Sequence, residues 1–139
     1  MDVIRYYTRT GNTEKMAQLL GKALEIEPYK IDDPLPDEHI DHLFLGGGVY
    51  NMSPDKELRD YADSLDPTKV SEVVLFGTGG SVFTIEKSIS KILNAKKIPI
   101  AKEKLFLHGM IPKMGNISDK QKEEISQFAG QFKEISTTN

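Results

Sequence analysis

Two spacings of apolar residues alternate along this chain. Short, near-continuous apolar runs fall at Val3–Tyr7, Leu43–Leu45, Val73–Phe76 and Leu105–Leu107, each closely followed by glycine or threonine. Between them lie stripes at helical spacing: Met16, Leu19, Leu20, Ala23 and Leu24; then Leu58, Tyr61, Ala62 and Leu65. A third stripe is Ile85, Ile89, Ile92 and Leu93, and a fourth is Ile125, Phe128, Ala129 and Phe132. The runs read as strands and the stripes as helices. A weaker extended stretch, Glu27–Ile31, is broken by Pro28 and reads as an edge strand. Ser53-Pro54 gives the second helix an N-cap with proline at its first position, and Ser118 with Gln121 forms a capping box for the last.

Strands without polar alternation are buried on both faces, which is the pattern of a parallel sheet covered by helices. Strand and helix in alternation, joined by right-handed crossovers, give an α/β fold: a three-layer, doubly wound parallel sheet of five strands. A chain of 139 residues suits one domain spanning 1–139, large enough to bury about 68–70% of its unfolded surface. In such sheets a ligand sits outside the carboxyl ends of the strands, where the strand order reverses. The site must then be built from TRTGNT after the first run, GGGVYNM after the third strand, GTGGSVF after the fourth and HGMIPKMG after the fifth.

Composition narrows the chemistry. There is no cysteine, which removes disulfides, thiolate metal sites and cysteine nucleophiles. His39, His42 and His108 have no metal-ligand spacing. A net charge of -3 with scattered lysines argues against a nucleic-acid surface. No apolar run reaches membrane length, and the start of the chain lacks a signal-peptide pattern, so a cytoplasmic protein without membrane insertion is expected.

The most informative stretch is Thr8-Arg9-Thr10-Gly11-Asn12-Thr13, at the first strand-to-helix turn. A helix start leaves backbone N–H groups unpaired at the positive end of its dipole. Three hydroxyls add donors there, and Gly11 lets the backbone curl closely around a small anion. Capping by Thr10 or Asn12 would need only one such group, so the cluster points to a terminal phosphate. Arg9 either adds charge to that site or points to solvent. Covalent phosphate chemistry does not fit: a phosphatase loop needs a cysteine, and a receiver domain needs an acid where this chain reads GGGVY. Neither GxxxxGK[ST] nor a GxGxxG fingerprint follows the first strand. What remains is non-covalent holding of a phosphate that belongs to a larger ligand.

These residues resemble the FMN-phosphate loop of flavodoxins, [TS]-x-T-G-x-T followed by a helix, and Glu14-Lys15-Met16-Ala17 continues as in short-chain bacterial members. Length and element order resemble that family from end to end. The resemblance implies strand order 2-1-3-4-5 with FMN at the switch point. It also implies two loops around the isoalloxazine ring. One is Gly48-Val49-Tyr50-Asn51-Met52, with Tyr50 able to stack on the ring. The other is Thr78-Gly79-Gly80-Ser81-Val82-Phe83, in which Phe83 either touches the ring or begins the core face of the next helix. Glycines allow backbone groups to approach the ring; the lesser alternative for Gly46–Gly48 is tight turns between strand and helix. By the same resemblance, a peptide near Tyr50-Asn51 would flip to bond the reduced ring.

The sequence also departs from that family. Its second ring loop carries no tryptophan, tyrosine or carboxylate, and the chain is only mildly acidic. Less negative charge near the ring should make flavin reduction easier. Arg5 lies inside the first apolar run, so it must either pair with a buried acid or reach outwards. The apolar connection 109–115 reads as a flap near the flavin, a partner surface or core packing. Two functions fit. The first is a monomeric FMN electron carrier docking transiently with a reductase and an acceptor protein. The alternative is a stand-alone FMN-dependent oxidoreductase acting on a quinone or porphyrin-type molecule. Short connections favour the carrier, and no side chain is assigned a catalytic role.

Overall fold

The first strand shows how sequence becomes sheet here. In Asp2–Tyr6 (β1), Ile4 and Tyr6 point to one face and Val3 to the other, and all three are buried. The computed structural model describes residues 1–9, 11–50, 53–79, 84–108 and 117–137, apart from the side chains of Tyr50 and of 134–137. After β1 come α1 (Asn12–Leu24), β2 (Pro28–Lys30), β3 (Ile40–Tyr50), β4 (Ser53–Pro54), α2 (Lys56–Ser64) and β5 (Val70–Gly79). The chain ends with α3 (Glu86–Ala95), β6 (Leu105–His108) and α4 (Asp119–Thr137).

Five strands pair in parallel in the order β2-β1-β3-β5-β6. With the two-residue β4 set aside, this is the expected order 2-1-3-4-5. One face carries Ile4, Tyr6, Phe44, Val74 and Phe76 under α1 and α4; the other carries Val3, Leu43, Leu45, Val73 and Leu75 under α2 and α3. Two separate apolar clusters on opposite faces make the three layers. Where α4 docks, the rings of Phe44, Phe128 and Phe132 meet edge to face, with Phe44 and Phe132 centroids 4.9 Å apart. Both strands at the sheet margins are short, three residues in β2 and four in β6.

Three local features differ from the sequence reading. β3 and β5 run on through their glycines, so Gly46–Gly48 are strand residues rather than turns. A Cβ on Gly46 would lie 2.2 Å from the ring of Phe76, and one on Gly47 would lie 2.5 Å from Leu58. The space is already filled by side chains from the neighbouring strand and from α2. Ser53-Pro54 does not start α2. It pairs antiparallel with Val49-Tyr50 as β4, and Asp55 takes the N-cap position. Arg5 is buried, and its partners are carbonyls and a ring. Its guanidinium donates to the oxygens of Ile4 (3.0 Å), Pro34 (2.8 Å) and Asp33 (3.4 Å) and lies 5.3 Å from the Tyr29 ring centroid. The capping box at Ser118 is present in both directions, with bonds of 3.1 Å between Ser118 and Gln121.

Candidate functional site

Strands β1, β3 and β5 are neighbours, so the segments leaving their carboxyl ends converge. Gly46 sits between Tyr6 and Phe76 in the ladder, and Gly48 lies beside Thr78. Chain register alone therefore brings the TRTGNT segment, the end of β3 and the end of β5 to one edge of the sheet.

At the first segment, Gly11 is the N-cap of α1, with φ 95° and ψ -10°. A Cβ there would meet nothing within 4 Å, so it is the backbone angle and not crowding that calls for glycine. Thr8 Oγ1 accepts the Gly11 N–H at 2.9 Å, which curls the loop and leaves the Thr8 hydroxyl proton to donate elsewhere. The first helical bond is Lys15 N–H to Gly11 C=O, 3.1 Å. Among the described residues no side chain caps α1, so capping by Asn12 is not how this helix start is satisfied. Its leading N–H groups have no acceptor within the helix.

Two polar side chains are buried in the first turn. Asn12 is 5% exposed, and its Oδ1 lacks a hydrogen-bond partner. Turning the amide by 180° places its NH2 donors at the same point. Thr13 is 1% exposed, and its hydroxyl lies 2.9 Å from that of Thr78, which joins the first segment to the end of β5. Tyr6, under the loop, donates to Glu14 Oε1 at 2.8 Å. Burial, reinforced by that bond, pushes its phenol up to about 12. The neighbouring Tyr7 phenol is also raised, by burial first and then by the charges of Glu57 and Asp55.

Of the ring-contact candidates, Gly48 and Val49 lie on β3, and Tyr50 closes it by pairing with Ser53. Thr78 and Gly79 end β5, with Thr78 buried. Thr10, Asn51, Met52, Gly80, Ser81 and Phe83 lie outside the described residues, as do the Tyr50 ring and the whole 109–115 connection. Arg9 does not simply face solvent: it forms an ion pair with Asp55, a residue the sequence did not single out. Only a contact across 46 positions reveals that partner. A cleft of about 530 Å³ also opens beside Tyr7, Thr8, Ile31, Glu57 and Tyr61. It lies on the β2 side of β1, away from the point where the β3 and β5 ends meet. Among the described residues, no cluster of His, Asp and Glu could hold a metal ion, and no helix is long and apolar enough to cross a membrane.

The family model for the flavodoxin domain matches residues 3–139. The chain belongs to the flavodoxin family. Among solved structures it is similar to a flavodoxin from the Archaea, with a TM-score of 0.78, 15% identity and 96% of each chain covered. It is also similar to oxidised flavodoxin 1 of Bacillus cereus, with a TM-score of 0.70, 21% identity, and 96% of this chain and 98% of that one covered. Two-electron reduced Megasphaera elsdenii flavodoxin gives a TM-score of 0.68 at 20% identity, covering 94% and 99%. At these identities the likeness establishes the fold. No curated protein matches the sequence. Flavodoxins bind FMN, and FMN is the cofactor of this chain. The residues present fit it: the α1 start has N–H donors that no described side chain caps, an open glycine turn and a buried amide in want of a partner.

Proposed function

We propose that this chain carries electrons on FMN between a reductase and an acceptor protein, docking with each in turn as a monomer. The observation that carries the reading is the first turn of α1. Among the described residues it has no side-chain cap; it is opened by Gly11 at φ 95° and lies beside the ends of β3 and β5. An anion there gains the helix-start N–H groups and dipole.

In this reading Thr8, Thr10, Gly11, Asn12 and Thr13 hold the FMN phosphate. Thr8 offers the proton not engaged with Gly11, while the Thr13–Thr78 bond sets the spacing between phosphate loop and ring loop. Gly48, Val49, Tyr50, Asn51 and Met52 flank one side of the ring, and Thr78, Gly79, Gly80, Ser81 and Phe83 the other. Bound FMN supplies reversible uptake of electrons; the protein supplies binding, orientation and field.

The test is the visible spectrum of the purified protein, FMN titration of the flavin-free chain, and anaerobic reduction with and without an added flavodoxin reductase. The carrier reading expects flavin bands, one FMN per chain, and reduction by nicotinamide only when the reductase is present. Direct turnover of reduced nicotinamide with a quinone, with no second protein, would favour the stand-alone oxidoreductase. A colourless protein that takes up no FMN would overturn both.

A further inference from the structure

Asp55 occupies the N-cap position of α2, where aspartate ordinarily bonds the helix-start N–H groups, yet it makes no such bond. Its backbone carbonyl takes the N–H of Leu58 and Arg59, both at 3.1 Å. Its carboxylate turns the other way and meets the Arg9 guanidinium. The two partners differ sharply in exposure: the Asp55 side chain is 8% exposed and that of Arg9 54%. The second carboxylate oxygen, Oδ2, is buried without a hydrogen-bond partner.

That asymmetry says which partner can move. If Arg9 swung away to a phosphate, it would strand a buried carboxylate that already lacks one donor, and uncompensated buried charge is strongly unfavourable. Arg9 is therefore held by Asp55. The pair spans the two segments that face each other across the site: Arg9 in the loop after β1, and Asp55 directly after β4, which closes the loop leaving β3.

We propose that Asp55, through Arg9, is a positioning residue that clasps the phosphate loop to the first ring loop. Arg9 is then a strut of the site and not a ligand of the phosphate. This rests on the FMN reading above. Its distinguishing consequence is that losing the clasp harms binding of the whole flavin, with or without its phosphate.

The experiment measures the dissociation constants of FMN and riboflavin, by flavin fluorescence quenching, for the full chain freed of flavin. Wild type, Arg9→Ala, Asp55→Asn, the double variant and Arg9→Lys are compared, with urea unfolding to check that each is folded. Each single variant should weaken both flavins by the same factor, about ten-fold, or 1.4 kcal/mol. The FMN-to-riboflavin ratio should stay constant, the double variant should be no worse than either single one, and Arg9→Lys should recover part of the loss. Loss of FMN affinity alone in Arg9→Ala would make Arg9 a phosphate ligand and overturn the proposal. Tighter FMN binding in Asp55→Asn, or no change in any variant, would also overturn it. Wild-type protein that binds neither flavin would overturn the FMN reading and the clasp with it, whereas wild type that binds while its variants fail this pattern would overturn the clasp alone.

Discussion

Gly11 holds a backbone conformation that side chains resist, in otherwise empty space. Gly11→Ala should therefore destabilise the chain by about 1–2 kcal/mol through strain alone, and should weaken FMN binding, as read by urea unfolding and FMN titration. Tyr6 makes a second prediction. Its phenol titrates near 10.0 when unfolded and at about 12 when folded. The folded state keeps the proton longer, so stability is fully present below pH 10 and is lost as pH rises towards 12. Near the middle of that window one such group contributes a slope of about 1.1 kcal/mol per pH unit. Tyr6→Phe should flatten the fall by one proton, leaving the contributions of Tyr61, which burial also pushes up to about 12, and of Tyr7, likewise raised by burial. Parallel urea melts at alkaline pH would check it. Residues whose meaning is local were readable in advance: the threonines around Gly11 announce a helix start whatever else folds nearby. Asp55 was not, because nothing around it in sequence indicates Arg9.

The parallel sheet was legible because β3 and β5 each have an apolar core of three or four residues with no polar alternation, and β1 is interrupted only by Arg5. The length of β3 was not. Three glycines in a row resemble a turn until the ring of Phe76, on the neighbouring strand, is seen to fill the place of a Gly46 side chain. Gly46→Ala should consequently cost about 1–3 kcal/mol by overpacking. The double variant Gly46→Ala/Phe76→Leu should recover part of that relative to the sum of its single variants, measured by chemical denaturation of all four proteins. Ser53-Pro54 misled for a related reason. A serine-proline pair is a sound helix start in isolation, but here it meets Val49-Tyr50 folding back, and the helix begins only after Asp55. Arg5 evaded both expectations because the carbonyls that accept it come from the 33–34 connection and from its own strand, neither of which hydropathy describes.

For the molecule as a whole, binding and folding are linked. FMN at 100 times its dissociation constant should stabilise the native state by about 2.7 kcal/mol, seen as a rise in melting temperature that riboflavin at the same concentration matches less well. A net charge of -3 and a second ring loop without carboxylates predict a less negative reduction potential than a strongly acidic flavodoxin would show. A redox titration against a dye at neutral pH checks this, and a very negative value would refute it.

The brevity of the two marginal strands has its own consequence. β2 offers a neighbour only three residues, beginning with a proline that has no N–H and ending with a lysine, and β6 offers four. Open sheet borders of this kind are poor templates for recruiting another chain. The fold is thus guarded at its rims against runaway strand addition, and concentrated solutions should stay clear and free of fibrils.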